Sequence, residues 1–205
     1  MAKSASERIF IKNARLSFPA LDEKRPVMKG SETMKYQATF LIDKNDPQVK
    51  AIWDAIARVA RAEFKDKADI VLRNRDKLAL KDGDARETAG YAGNVYINAK
   101  SEHQPELRDA NPKICIKDPK VIREKFVAGY RVNAYIDLFA YEFSGMRGVS
   151  AGLVSVQFAG YDEAFSGVSL PKAEDYPDCS EQAGETQAYD TSFSPTEYNE
   201  NDYPF

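Results

Sequence analysis

The chain has 205 residues, 29 Lys+Arg against 32 Asp+Glu for a net charge of −3, one His and two Cys. The cysteines, Cys115 and Cys179, lie far apart, and with the lone His103 they form neither a metal-ligand spacing nor a disulfide framework. No apolar run approaches the roughly 18 residues of a membrane helix, and the polar start, Met1 to Arg8, opens no signal-type segment, so a reducing cytoplasm is the expected compartment. Catalysis by a Ser-His-Asp or Cys-His site would have to use His103, in the loop-like Ser101 to Pro105 stretch. No Gly-rich phosphate loop, HExxH or kinase-type motif occurs, and the acids of the body are too scattered for a two-metal centre. The expectation is a protein that is not an enzyme and holds no cofactor and no metal.

In chain order, Ile9 to Phe18 mixes β-branched and aromatic residues and stops at Pro19, which predicts a first strand. Leu21 to Thr33, charged and holding Pro26 and Gly30, predicts a loop. Met34 to Ile42 alternates, with Tyr36, Ala38, Phe40 and Ile42 on one face and Lys35, Gln37 and Thr39 on the other. Asp46 and Pro47 make a helix start, cap and first position. From there Val49, Ile52, Trp53, Ile56, Val59, Ala60 and Phe64 recur at helical spacing, predicting an amphipathic helix to about Phe64 with Trp53 as a core anchor. Lys65 to Gly90 is charged and weakly periodic, reading as a short helix and then an exposed loop with a turn at Asp82-Gly83. Such a loop is either solvated or closes over a ligand.

Asn94 to Ser101 alternates again, with Val95, Ile97 and Ala99 opposite Tyr96, Asn98 and Lys100. Lys113 to Lys117 is a short strand candidate. Asp118 and Pro119 open a short helix through Phe126. Arg131 to Glu142 is the clearest strand: Val132, Ala134, Ile136, Leu138 and Ala140 form an apolar face, and Arg131, Asn133, Tyr135, Asp137, Phe139 and Tyr141 the other. Gly145 to Gly148 reads as a hairpin turn, Val149 to Phe158 as the returning strand, and Gly152 as a bulge or bend within it. Several strands with long insertions and few helices predict a small β-barrel, mainly β within an α+β composition, rather than a βαβ sheet.

After Phe158 the periodicity ends. Residues 162–205 carry 11 acids and one Lys, a net of −10, and residues 1–161 a net of +7. This division predicts a basic body that meets a polyanion, residues 1–161, and an acidic tail, residues 162–205, disordered when free. The strand faces opposite the apolar ones carry Lys35, Tyr96, Lys100, Arg131, Tyr135, Phe139 and Tyr141, with Arg147 in the hairpin. Rings and cations on one exposed β-face suit a single-stranded nucleic acid, whose bases stack on aromatics without regard to sequence while Lys and Arg neutralise phosphates. The same rings would equally serve as core beneath the helix or the 65–90 insertion. A tethered polyanion competes with DNA for such a groove, and its last residues, Asp202, Tyr203, Pro204 and Phe205, present an aromatic ring and a carboxylate to a partner.

Two resemblances bear on this. Asp202-Tyr203-Pro204-Phe205 resembles the acidic, Asp-Pro-Phe-type tip of bacterial single-stranded DNA-binding proteins, departing from it at Tyr203. The body, over most of residues 9–165, resembles a phage-encoded single-stranded DNA-binding protein family through Gly93-Asn94-Val95-Tyr96-Ile97-Asn98-Ala99-Lys100-Ser101, Gly129-Tyr130-Arg131-Val132-Asn133-Ala134, Gly148-Val149-Ser150-Ala151-Gly152-Leu153 and Val156-Gln157-Phe158. The resemblance implies an OB-fold, a five-stranded barrel. It also implies sequence-independent single-stranded DNA binding in phage replication or recombination, in the cytoplasm of a bacterial host, with replication or recombination proteins recruited by the tip. The oligomeric state, monomer or dimer, stays open. Two rival readings are a recombination factor that anneals strands or loads a recombinase, and a β-barrel protein–protein module with a solubilising tail.

Overall fold

The computed structural model describes residues 4–28 and 30–165. The expected tail from residue 166 onward, with Cys179 and the tip residues Asp202, Tyr203, Pro204 and Phe205, lies outside the described residues.

The chain runs β1 (Ser6–Pro26), β2 (Met34–Asp43), α1 (Pro47–Phe64), α2 (Ala68–Arg73), β3 (Leu80–Asp82), β4 (Asn94–Ser101), β5 (Glu106–Arg108), α3 (Pro119–Lys125), β6 (Arg131–Phe143) and β7 (Met146–Gly160). β1 pairs β2 and β6, β2 pairs β4, and β6 pairs β7, all antiparallel. A short parallel pairing of β4 with β7, Ala99 opposite Ala151 and Lys100 opposite Gly152, closes the ring. The circuit β1-β2-β4-β7-β6 is the five-stranded barrel of an OB-fold, with β3 and β5 added at the edges.

β1 is the joint of the barrel and differs from the expected Ile9 to Phe18 strand. Its first half pairs with β6 and its second with β2, and the register slips between Ile11 and Ala14 and between Ser17 and Ala20. The bends fall at Asn13 (φ 52°) and Phe18 (φ 45°), so one strand serves two neighbours around a tight barrel. Pro19 does not stop it, because it sits in the second slip, where no ladder donor is needed. The expected loop from Leu21 is therefore strand through Pro26.

α1 matches its expectation at both ends. Asp46 accepts from the Gln48 N–H at 2.9 Å, Pro47 follows it, and Ile52, Ile56, Val59, Ala60 and Phe64 are buried. Those residues join Phe40, Ile97, Ile136, Leu138 and Val156 in one core. Each fully buried Ile, Leu, Val or Phe adds about 1.5–3 kcal/mol to stability. The short helix at 119–125 also forms, capped by Asp118. Lys113 to Lys117 does not become a strand and makes one isolated bridge, Arg108 to Cys115. β7 slips register at Val154, between the pairs Tyr135–Ser155 and Ile136–Leu153, and at Ala159, between Arg131–Gly160 and Val132–Phe158, and not at Gly152. No helix among the described residues is long and apolar enough to cross a membrane.

Candidate nucleic-acid interface

Alternation sends the odd residues of β2 and the even residues of β4 outward from the barrel. Side by side they place Lys35, Gln37 and Thr39 next to Asn98 and Lys100. β6 adds Phe139 and Tyr141 from across the barrel closure, because β7 presents only Ser150 and Gly152 between them and β4. Gly152 lies beside the Phe139 ring, where an atom in the Cβ position would sit in ordinary contact at 3.8 Å. The result is a cleft of about 300 Å³ lined by Lys35, Lys77, Lys81, Lys100, Phe139 and Tyr141. Tyr141 lies over Gly148, where an added Cβ would fall 2.6 Å from its hydroxyl oxygen and 2.3 Å from the Lys77 carbonyl oxygen. That close approach brings the 75–77 turn against the hairpin.

The cleft is basic. Lys100 donates to the Val27 carbonyl at 3.0 Å, and partial burial, then the charges of Lys35 and Lys81, push its pKa below the usual lysine value. Lys35 lies 3.4 Å from Glu102, and its side chain remains 30 % exposed. Asn98 and Lys100 also line a second recess, of about 520 Å³, with Phe18, Gln37, Thr39 and Arg86. The two recesses share Asn98 and Lys100, with Phe139 and Tyr141 lining one and Phe18 the other. Phe18 is 57 % exposed and Phe139 37 %.

Lys35, Lys100, Phe139 and Tyr141 are brought together as expected of one surface. Tyr135 stands on the same outward face of β6, exposed and against Phe10 with ring centroids 4.8 Å apart. Asp137, paired with Arg8 at 2.7 Å, separates it from Phe139. Arg147 lies at the hairpin, held by Glu142 at 2.6 Å, and lines a recess next to Lys77.

Tyr96 and Arg131 are placed differently. Tyr96 is outward from the barrel yet only 7 % exposed, packed with Leu41 and Tyr91 beneath the 83–93 loop. Arg86 covers its ring at 4.8 Å. Arg131 is engaged at the far end of β6, where its Nε donates to Asp162 at 2.6 Å and its Nη1 to the Asn13 carbonyl at 3.2 Å.

Asp162 begins a packed strap that runs four residues past the expected body boundary at 161. The Phe165 N–H donates to the Ala128 carbonyl at 2.8 Å, and the Arg15 guanidinium covers the Phe165 ring at 4.2 Å. The ring fills the space above Gly90 (φ 81°), where a Cβ would meet it at 2.3 Å. The Glu163 N–H, then the Arg131 guanidinium, hold the Asp162 carboxyl below the usual carboxylate range.

Lys77, Lys81, Arg86, Phe10 and Phe18 were not singled out from the sequence. Phe10 carried a signal, since it alternates with Ile9 and the buried Ile11. Lys77, Lys81 and Arg86 carried none, because β3 is too short to show a period and the turn before it has no apolar spacing.

A family model described as the Enterobacter phage Enc34 ssDNA-binding protein matches residues 7–187. Protein p50 of Acyrthosiphon pisum secondary endosymbiont phage 1 is 33 % identical over 181 residues, covering 84 % of this chain and 94 % of that one. Among solved structures, the chain is similar to the single-stranded DNA-binding protein of bacteriophage Enc34 in complex with ssDNA. The TM-score is 0.58 and the identity 21 %, over 81 % of this chain and 96 % of the other. It is also similar to gp2.5, a single-stranded DNA-binding protein encoded by bacteriophage T7, with a TM-score of 0.54 at 11 % identity, over 89 % and 97 %.

Proposed function

The chain belongs to the family of the Enterobacter phage Enc34 ssDNA-binding protein, and from that premise we propose that it binds single-stranded DNA without sequence preference. The observation that carries the proposal is the groove, in which Lys35, Lys77, Lys81 and Lys100 face Phe139 and Tyr141. Such a surface offers phosphates a line of cations and bases a ring to stack on. The long helix α1 is not a basic helix of the kind that enters a duplex groove, since its cations are diluted by Asp54 and Glu63. Phe139, Tyr141, Lys35 and Lys100 are assigned as primary contacts, Tyr135 and Arg147 as flanking ones. Tyr96 and Arg131 are assigned to supporting positions, the first by its burial and the second by its ion pair.

The protein coats transient single strands during phage DNA replication or recombination in the host cytoplasm, without catalysis. The acidic tail competes with DNA for the groove, and its tip, Asp202 to Phe205, recruits a replication or recombination protein. The charge division between body and tail supports this part. A salt titration of oligo-dT binding tests the first claim: affinity is expected to fall linearly in log–log form as salt rises, and no binding at low salt would sink it. Removing the tail is expected to tighten binding at low salt, whereas deleting Phe205 alone leaves DNA affinity unchanged and abolishes the partner contact in a pull-down with host or phage replication proteins.

A further inference from the structure

Lys81 faces two clefts. Besides the groove, it lines a neighbouring cleft of about 630 Å³ with Lys44, Lys50, Trp53 and Arg75. Trp53 is the one tryptophan of the chain. Its ring is half-buried, packed against the core on one side. On the other side the Arg75 guanidinium carbon lies 3.8 Å above the ring centroid. Lys44 and Lys50 are occupied by Asp82, Asp84 and Asp54. Arg75 and Lys81 have no ion-pair partner among the described residues, and Arg75 is exposed.

Arg75 is held over the indole at that distance and is exposed, so its planar guanidinium keeps a solvent-facing side and free N–H donors. The open face is a platform for a planar base, and the edge donors suit a phosphate. The contact with the ring restrains the guanidinium, so little rotamer freedom is lost when a base lands on it. Lys81 provides the continuity, because a phosphate beside it lies at the mouth of both clefts.

We propose that the Trp53–Arg75 cleft is a second nucleotide subsite, in which a single strand leaving the Lys100 groove passes Lys81 and stacks a base on the outer face of Arg75. This rests on the single-stranded DNA-binding reading above and extends the binding path beyond the groove toward the N-terminal end of α1.

The experiment uses the full chain and oligo-dT of about 16 nucleotides, the upper range for one OB-fold. Two readouts are taken in one titration: anisotropy of a label on the oligonucleotide for binding, and emission of the single tryptophan for occupancy of the cleft. Binding is expected to change Trp53 emission and to protect it from iodide quenching. Arg75→Ala is expected to weaken binding about five- to tenfold. Arg75→Lys, which keeps the charge and loses the plane, is expected to weaken it to a similar extent; full rescue by Lys overturns the stacking. Anisotropy that reports binding while emission is unmoved, or an Arg75→Ala affinity within about twofold of the parent, overturns the subsite and leaves the groove reading intact. No rise in anisotropy overturns the DNA-binding reading itself, and the subsite with it.

Discussion

Tyr96 and Lys100 stand on the same outward face of β4, two repeats of the alternation apart with Asn98 between them, and they meet opposite surroundings. Tyr96 lies under the 83–93 loop, with Leu41 beside it on β2 and Tyr91 and Arg86 packed against its ring. Lys100 lies at the floor of an open groove with Lys35, Lys81 and Phe139 around it. The strand itself treats the two positions alike. What separates them is a cover supplied from elsewhere in the chain, the 83–93 loop and the 162–165 strap with Phe165. The outer face of a small barrel is thus divided into a sealed half that adds a second core and an open half lined by Lys35, Lys81, Lys100 and Phe139.

The two halves should fail in different ways when cut, and the largest effect is expected in the sealed one. Tyr96→Ala removes a buried ring from the Leu41–Tyr91 cluster, a change of about 3–5 kcal/mol in stability. Urea unfolding measures it, and the fraction still folded should bind oligo-dT like the parent. A stable Tyr96→Ala protein that has lost DNA binding would erase the division between the halves.

On the open side, replacing Lys35, Lys81 and Lys100 together by Ala is expected to leave unfolding almost unchanged. Each phosphate contact on a single strand contributes about 0.7 to the slope of log K against log salt, so the slope should fall by about 2. Phe139→Ala is a smaller change, about 1–3 kcal/mol of affinity, and it should leave the salt slope alone because no cation is removed. A flattened slope in Phe139→Ala would mean that ring and lysines are not independent contacts. Competition titrations at several salt concentrations separate the two.

The same division sets how much could be read from the residues. The inward faces of β2, β4 and β6 were legible because burial imposes period two on every strand that lines one core, and Val132, Ala134, Ile136 and Leu138 carry that period without a break. The helix at 47–64 was legible from its cap and its stripe. The groove was half legible: Lys35, Lys100, Phe139 and Tyr141 follow from alternation once a barrel is assumed. Their partners Lys77 and Lys81 were not, because the segment that carries them is held by long-range contact with Gly148 and β4 and has no period of its own. Tyr96 shows the other limit. Alternation says which side of the strand a residue faces and says nothing of what another part of the chain lays over it. β1 was cut short for a related reason, since Pro19 breaks a regular ladder but not a bulged one.

A titration of Lys100 sharpens the comparison further, with a smaller expected effect. Burial and the neighbouring Lys35 and Lys81 charges favour its neutral form, so it releases its proton below the usual lysine range. A phosphate favours the charged form. Binding therefore takes up a proton in the window just above the lowered value, and affinity for oligo-dT is expected to weaken as pH rises into that window, before ordinary lysines titrate. Lys100→Arg, which stays charged, should bind with a flat profile over the same range. Identical profiles for the two proteins would remove Lys100 from contact with phosphate.

The smallest effect is expected from the outer edge of the sealed half, and it tests whether the strap is a cover or a part of the core. Asp162 pins the strap to Arg131, and its folded-state pKa lies below the ordinary carboxylate value. The sign follows from that direction: the stabilisation is present above the ordinary carboxylate range and is lost as pH falls through the lowered value. Asp162 and Arg131 are both partly exposed, so solvent screening keeps the pair under about 1 kcal/mol. Asp162→Asn should therefore lower the urea midpoint slightly at about pH 7, and the difference from the parent should shrink as pH falls through the lowered value and the parent carboxyl takes up its proton. A loss above about 2 kcal/mol would mean that releasing Asp162 also releases Phe165 and uncovers Tyr91 and Tyr96. The strap would then belong to the second core, and the sealed half would depend on the segment that follows β7 as much as on the 83–93 loop.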